Sequence, residues 1–561
     1  MFREFLPKSI LYLKSYTPAI FRKDLFAGIT VGVIALPLAM AFAISSGVTP
    51  DRGLFTAIVA GFLISALGGC RAQIGGPTGA FIVIVYGIIQ RTGYEGLAIS
   101  TLLAALLLIL LGIFRLGSWI KYIPHPLVTG FTTGIALIIL SSQIKDFFGL
   151  NMGAVPADFI EKWQAYFGAF HTMHLPTFFL SLGTFVLILC IRKFIPKLPW
   201  GIGAIVLATL VSYFLHLDVE TIQSRFGQIP NFLPLPSWPS LYIPGLKLSE
   251  IFMDAITIAF LAAIESLLSA VVADGMMGSR HKSNCELVGQ GIANFASILF
   301  GGIPATGAIA RTAANIKSGA QTPMAGMIHA ITLFLILLFL APIVSQIPLA
   351  ALASILIMVA WNMSELPHFV RLMSAPLGDV AILLTAFLLT VFVDITVAVT
   401  LGMTLAAILF MKRMSDYSKT VSLTNLFKEP LTDFPEKYDP DAIIHKNVAA
   451  DVEVYELQGP FFFAVADILK DILNNIQPPP KVFILRMRHV PFMDASGMHA
   501  LKEFYYKCKH SNTTLLLSGV KGQTEKDLKA FGLMKLIGKE HIFSHIDAAL
   551  EKSEQLTLLG A

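Results

Sequence analysis

The sequence predicts an α-helical polytopic membrane protein: fourteen transmembrane segments arranged as two inverted halves of seven, followed by a small α/β domain. Three observations carry this prediction. The 561-residue chain is 55% hydrophobic and 14% charged, whereas soluble domains carry about 25% charged residues, and its mean hydropathy is +0.72. Charge is unevenly distributed: residues 413–561 hold 18 Lys/Arg and 19 Asp/Glu, 37 of 149, while residues 1–412 hold only 40. Two short Gly/Pro-interrupted segments recur at matching places in the apolar part.

These figures exclude disorder, a disulfide scaffold and a soluble enzyme core for the first 412 residues. The cysteines Cys70, Cys190, Cys285 and Cys508 form no CxxC pair, so neither a disulfide framework nor a metal site is indicated. A net charge of +5 without a basic block argues against nucleic acid. Residues 1–25 are mixed-polar, lack a cleavable signal, and read as a cytoplasmic N-terminus.

Apolar runs lie near 26–46, 53–68, 77–90, 95–114, 123–144, 176–191, 200–216, 251–273, 285–300, 304–318, 324–345, 347–361, 377–394 and 396–411. A full span needs about 20 residues, and the runs near 77 and 304 fall short. With alternating segments and a cytoplasmic N-terminus, sixteen Lys/Arg fall inside and six outside. That bias supports an even count and places both termini in the cytoplasm. The transport domain is thus 26–412, with repeat one at about 26–216 and repeat two at about 251–411.

The short segments open Gly75-Gly76-Pro77-Thr78-Gly79-Ala80 and Gly301-Gly302-Ile303-Pro304-Ala305-Thr306-Gly307-Ala308. Each is the third of its half, and seven is odd, so the halves oppose one another in the membrane. Paired interrupted segments point to a transporter site. A helix starting inside the bilayer leaves its first N–H groups free and carries roughly +0.5 of partial charge there, so two facing starts attract an anion. The bland alternative is that Gly and Pro merely kink two ordinary spans. The half-helices are expected to begin near Pro77 and Pro304.

Ionisable residues at membrane depth are functional candidates. Glu265 sits near the centre of its span, with Ser269 one turn on and on the same face. Arg311 is expected two turns into the second half-helix. A substrate or ion site competes here with a structural Glu–Arg pair. Asp254, Asp274, Glu286, Asp379 and Asp394 read as solvated caps, Lys145 and Asp146 as a local pair, and His329 as a hydrogen-bonded core histidine, with a place in a proton path as the alternative.

At this point the residues resemble a known family. Pro37-Leu38-Ala39-Met40-Ala41-Phe42-Ala43, Ser46-Gly47-Val48-Thr49-Pro50, Gly53-Leu54-Phe55, Gly69-Cys70-Arg71 and Gly76-Pro77 look like the signature of the SulP, or SLC26, anion transporters. Ile264-Glu265-Ser266, the stretch from Pro304 to Arg311 and a STAS-type tail extend the likeness over the chain. Asp274-Gly275-Met276, His281 to Gly291 and Val359 to Glu365 resemble the bacterial C4-dicarboxylic acid transporter branch. The resemblance implies a mobile core of segments 1–4 and 8–11, a gate of 5–7 and 12–14, a homodimer, and the bacterial inner membrane. Its substrate-binding positions are Leu38, Phe42, Thr78, Gly79, Ala80, Phe81, Gly307, Ala308, Ile309, Ala310 and Arg311. Leu38 and Phe42 stand where many members carry Gln and Tyr, and Ala310 where some carry Ser, which makes this site more apolar.

Residues 413–451 read as a polar linker, with the STAS domain at 452–561. Strands are expected at Val452 to Phe463, Val482 to Met487 and Thr514 to Leu517, with helices near 464–476 and 496–509, the alternation of a small α/β layer. Phe492-Met493-Asp494-Ala495-Ser496-Gly497 is similar to the phosphorylatable loop of anti-sigma-factor antagonists. Asp494 and Ser496 are therefore regulatory candidates, or equally an N-cap, and the tail a surface for a cytoplasmic protein partner.

The expected function is secondary anion transport, with neither cofactor nor enzyme activity expected, and a primary pump is disfavoured because the tail contains no phosphate-binding GxxxxGK[ST] loop. Proton-coupled uptake of succinate, fumarate or aspartate leads, with Glu265 as coupling group and Arg311 as anion anchor. Sodium held by Glu265 and Ser269 is the alternative coupling ion. Bicarbonate or sulfate transport, or a channel of the same fold, are the alternative functions.

Overall fold

The computed structural model describes residues 4–13, 15–118, 123–153, 155–156, 158–194, 200–240, 248–393, 395–417, 419–422, 446–449, 451–461, 476 and 478–558. Two compact units emerge, Met1–Ala406 and Ala407–Ala561.

The first unit opens with α1 (Lys8–Leu13), α2 (Pro18–Ser45), α3 (Pro50–Leu67), β1 (Gly75–Gly76) and α4 (Phe81–Ile113). It continues with α5 (His125–Ser142), α6 (Ile144–Phe148), α7 (Phe159–Ala169), α8 (Leu175–Phe194), α9 (Trp200–Phe214) and α10 (Ile222–Phe226). The second half supplies α11 (Leu248–Met277), α12 (Ser283–Leu299), β2 (Thr306–Gly307), α13 (Ile309–Lys317) and α14 (Met324–Val344). After these come α15 (Leu349–Met363), α16 (Leu366–Leu372), α17 (Leu377–Phe392) and α18 (Ile395–Tyr417).

Every expected apolar run coincides with a helix. The third and fourth share α4, bent at Gly93, whose φ of 69° breaks the helical path. Nine helical spans among the described residues are long and apolar enough to cross a membrane.

The helices pack in two sets. α2, α3, α4, α11, α12, α13 and α14 pack mainly on one another, and α5, α8, α9, α15 and α17 on one another. This partition matches the core and gate that the family resemblance implies. Glycines sit where backbones meet within each set. A Cβ on Gly53 would lie 2.1 Å from Ala39 O, and one on Gly130 would lie 2.5 Å from Leu383 O. Close approach through small residues is how membrane helices gain dispersion energy, since lipid offers no hydrophobic drive between them.

Several caps expected from the sequence are interior groups. Glu286 is 1% exposed and accepts from Gly69 N at 2.8 Å, Cys70 N at 3.0 Å and Gln290 Nε2 at 3.0 Å. Asp254 pairs with Arg91 at 2.8 Å. Asp146 pairs with Arg225, 79 residues away, rather than with Lys145, which donates to the Met152 and Gly153 carbonyls. Linear distance from a span end misjudged these groups, because partners far away in the sequence meet them: the Gly69–Cys70 turn, Arg91 of α4 and Arg225 of α10.

The second unit is built on a five-stranded sheet. β3 (Lys419–Ser422) pairs antiparallel with β4 (Val452–Gln458), and β5 (Val482–His489), β6 (Thr514–Ser518) and β7 (Ile542–Phe543) follow in parallel. The region expected to be all linker thus supplies an edge strand, and α18 runs into it as far as Tyr417. Residues 423–445 and the helix expected near 464–476 lie outside the described residues, except Ile476, as does Asp394.

The helices of this unit are α19 (Ala495–His510), α20 (Gln523–Ala530), α21 (Leu533–Ile537) and α22 (Ile546–Leu558). Strand alternation sorts the core. Phe483, Leu485, Leu515 and Leu517 pack with Met498, Leu501 and Phe504 of α19, while Val454, Ile484 and Leu516 pack with Ile546, Ala549 and Leu550 of α22. A parallel sheet covered on both faces reads as nearly continuous apolar runs. Burial pushes the Cys508 thiol up to about 12, so this cysteine stays protonated.

Asp494 is the N-cap of α19, and its side chain accepts from Gly497 N at 2.7 Å. Ser496 is exposed in the first turn. Asp494→Ala is expected to destabilise this unit by about 1 kcal/mol, and Ser496→Ala to do far less. Faster hydrogen exchange of the first-turn amides of α19 in the first variant only would bear this out.

Candidate functional site

The two interrupted segments meet through their backbones. β1 and β2 form an antiparallel ladder, Gly75 opposite Gly307 and Gly76 opposite Thr306, extended by Ala308 N donating to Ile74 O at 2.8 Å. The openings are therefore extended, and the helices start later than expected, at Phe81 and Ile309 instead of Pro77 and Pro304. Arg311 consequently lies in the first turn of α13, not two turns in. An antiparallel ladder sends the following helices away in opposite directions, so both N-termini sit beside it.

Neither helix start is capped by a side chain. The N–H groups of Gly79, Ala80, Ile309 and Ala310 have no acceptor among the described residues. Free donors and two helix dipoles at one place favour an anion.

Irregular backbone at membrane depth must be satisfied by protein, and here side chains do it. Asn294 donates to Ala305 O and accepts from Ala305 N, both at 2.8 Å. Thr306 Oγ1 donates to Ala262 O at 3.0 Å, and Gly307 N donates to Ser266 Oγ at 3.1 Å. Ile74 N donates to Thr312 Oγ1 at 3.1 Å, and Asn315 Nδ2 to Ala72 O at 2.9 Å. These residues escaped the sequence reading. Their signal was the polar residues spaced along the apolar face of α11, α12 and α13.

Glu265 is half-buried on α11, beside Thr78 and in the field of Arg311. No ion pair within 4 Å joins the two among the described residues. Arg311 is 3% exposed. Its Nη2 donates to Pro77 O, and its Nη1 lies 2.8 Å from where a Cβ on Gly76 would stand. The guanidinium thus crosses the ladder from one half to the other. Ser269 turns to Thr312, with the two hydroxyls 3.0 Å apart.

The remaining positions divide. Ala80, Phe81, Thr78 and Ala308 are buried, as is Phe42 at 5% exposure, while Leu38 is half-buried. A Cβ on Gly79 would stand 3.2 Å from Ile139 Cδ1 and Met363 Sδ and 3.6 Å from Phe42 Cε1, which puts the first half-helix start against α5 and α15. Ile309 and Ala310 are exposed. His329 is fully buried in α14, with the backbone of Gly326 beside its ring.

The folded segments and their paired half-helices define a helical membrane transporter with a separate C-terminal α/β domain. The chain belongs to the sulfate permease family, which matches residues 21–386, and a STAS domain matches 441–549. It is 41% identical over 536 residues to YvdB of Bacillus subtilis, provisionally named a sulfate transporter, covering 95% of this chain and 98% of the relative. It is 30% identical over 541 residues to the bicarbonate transporter BicA of the cyanobacterium Synechocystis, covering 94% and 93%. Among solved structures, the BicA transmembrane domain is 32% identical with a TM-score of 0.61, covering 68% of this chain and 98% of that one. SLC26A9 shares the fold with a TM-score of 0.84 at 17% identity, covering 99% and 94%. The relatives are anion transporters, not enzymes.

Proposed function

We propose that this chain is a secondary active importer of C4-dicarboxylates (succinate, fumarate, aspartate), driven by protons through alternating access. The observation that supports this reading is the convergence of two uncapped helix starts on one ladder, with Arg311 buried across it. The sum is about +2 when each helix end contributes roughly +0.5. Phe42, Leu38, Ala310, Ile139 and Met363 give the surroundings an apolar character that suits a dicarboxylate's hydrocarbon stem.

Glu265 is the proposed coupling group. When it is neutral, a dianion balances the site, so one proton travels with each substrate. Sodium is the weaker choice, because the hydroxyl of Ser269, its expected second ligand, is engaged by Thr312. We further assign the protein to the bacterial inner membrane as a homodimer, with both termini and a partner-binding STAS domain in the cytoplasm.

The names of YvdB and BicA favour a second reading, sulfate or bicarbonate as substrate. One experiment separates the two: competition of unlabelled succinate, bicarbonate and sulfate against labelled succinate in proteoliposomes. Inhibition by succinate at the lowest concentration is expected. An absence of succinate uptake beside robust sulfate or bicarbonate uptake would replace the first reading by the second. Glu265→Gln is expected to bind substrate yet lose the stimulation of uptake by acidic external pH. Wild-type pH dependence in that variant, or a strict sodium requirement in the parent, would rule out proton coupling through Glu265.

A further inference from the structure

Three donors on α7 lack an acceptor. Lys162 is 4% exposed and Tyr166 2%. The Trp163 indole Nε1 and the Tyr166 hydroxyl are buried without a hydrogen-bond partner. The Lys162 ammonium makes neither an ion pair nor a side-chain hydrogen bond among the described residues. Buried Trp and Tyr usually find a partner for their polar ends, and a buried charge is costly unless it is paired. Three such groups on one short helix call for a ligand.

The helix brings them together. Lys162 and Tyr166 are four residues apart and Trp163 and Tyr166 three, the spacings that make neighbours on a helix surface. The Trp163 and Tyr166 rings stand 6.1 Å apart. Phe159 lies 6.4 Å from Trp163 and 5.6 Å from Phe392 of α17, ring centre to ring centre, so the donors are set in an aromatic wall. The acceptors nearby are already engaged. Asp158 caps α7, accepting from Ile160 N at 2.9 Å and Glu161 N at 3.2 Å. Asp146 pairs with Arg225 at 2.8 Å, and Val155 O accepts from the Tyr86 hydroxyl at 2.6 Å.

An ammonium and an indole N–H can only donate, and a phenol can donate as well. The complementary ligand is therefore an anion rich in acceptors. A carboxylate offers two oxygens with about four lone-pair sites, and the aromatic wall suits a hydrocarbon stem. Burial lowers the pKa of Lys162 against the opposing effect of Asp158, and an anion beside the ammonium would favour its charged form. α7 lies between the fifth and sixth apolar runs, on the outer side of the membrane in the alternating topology. Tyr86 connects it to the half-helix: it follows the start of α4 at Phe81 by five residues and lies within electrostatic reach of Tyr166.

We propose that Lys162, Trp163 and Tyr166 form an outer binding site for a carboxylate, which receives the substrate anion before it passes to the helix starts at Phe81 and Ile309. The ligand of this site rests on the dicarboxylate reading above.

The test follows tryptophan fluorescence of the full-length protein in detergent micelles during titration with succinate, beside uptake of labelled succinate into proteoliposomes. The parent should give a saturable change. Arg311→Met, which weakens the inner site, should keep that change, and Trp163→Phe, which removes the reporter, should abolish it. Lys162→Met should raise the half-saturation concentration at least about tenfold and Tyr166→Phe about threefold, the losses of a charged and a neutral hydrogen bond. Lys162→Arg, which keeps the cation, should recover most of the affinity, and chloride at equal ionic strength should not reproduce the change. A change that vanishes in Arg311→Met and survives in Trp163→Phe belongs to the inner site and overturns the proposal. So does an absent change in a parent that takes up succinate, which leaves water as the occupant, or parental half-saturation in both Lys162→Met and Tyr166→Phe. A parent that carries sulfate or bicarbonate but no succinate defeats the dicarboxylate reading. A saturable Trp163 signal with succinate in that protein still upholds the site, and its absence there overturns both.

Discussion

Replacing Gly76 by alanine is expected to abolish anion uptake. Gly76 has a φ of 145°, a region closed to residues with a side chain, and residues forced into such conformations cost about 1–3 kcal/mol. The added methyl would also stand 2.8 Å from Arg311 Nη1 and 3.5 Å from Ala57 Cα, and overpacking of this kind costs typically about 1–3 kcal/mol more. Both penalties fall on one residue of a two-residue strand paired with Thr306. Relief requires the ladder to part or the guanidinium to leave Pro77 O, and either move displaces the helix starts. A loss of about 3 kcal/mol at the site corresponds to roughly 100-fold in rate. Gly87→Ala on α4 is the control: nothing lies within 4 Å of its Cβ, and alanine is the better helix former. Uptake by Gly76→Ala within threefold of the parent, at an unchanged melting temperature, would remove the ladder from the mechanism.

The sequence carried the helical architecture and the location of the site because both are written as contrasts in polarity. Fourteen apolar runs stand out against charged or Gly/Pro breaks, and Glu265 and Arg311 stand out against apolar neighbours. The ladder was not legible. Two residues per strand are too few for a period-2 pattern, and Gly75, Gly76 and Gly307 carry no side chain to alternate. The late start of α13 has the same origin, since its extended opening uses residues that a helix would accept. The network of Ser266, Asn294, Thr312 and Asn315 was hidden because its members come from three separate helices, and only the fold brings them to one place. Glu286 shows the converse error. Near a span end it reads as solvated, yet it holds the turn at Gly69 and Cys70 from 217 residues away.

Removing the charge of Arg311 is expected to weaken anion binding in proportion to the anion's charge. In a partly buried site, with an effective dielectric near 20, two unit charges roughly 8 Å apart interact by about 2 kcal/mol. Arg311→Met, which keeps a long side chain and deletes the cation, should therefore weaken a monoanion by about 2 kcal/mol and a dianion by about 4. At 1.4 kcal/mol per factor of ten, these are roughly 30-fold and 10³-fold losses. Arg311→Lys separates charge from geometry. Lysine keeps the cation but not the planar fork, so the bond to Pro77 O is weakened or lost. A charged hydrogen bond contributes about 1.5–3 kcal/mol, and that loss acts on the ladder whichever anion is bound. The lysine variant should then depress succinate and a monocarboxylate of similar size by the same factor, whereas the methionine variant should spread them apart. The measurement is the half-saturation concentration for exchange of each anion at a pH where succinate is fully ionised. Equal losses for both anions in Arg311→Met would show that Arg311 braces the ladder without contributing its charge to the anion.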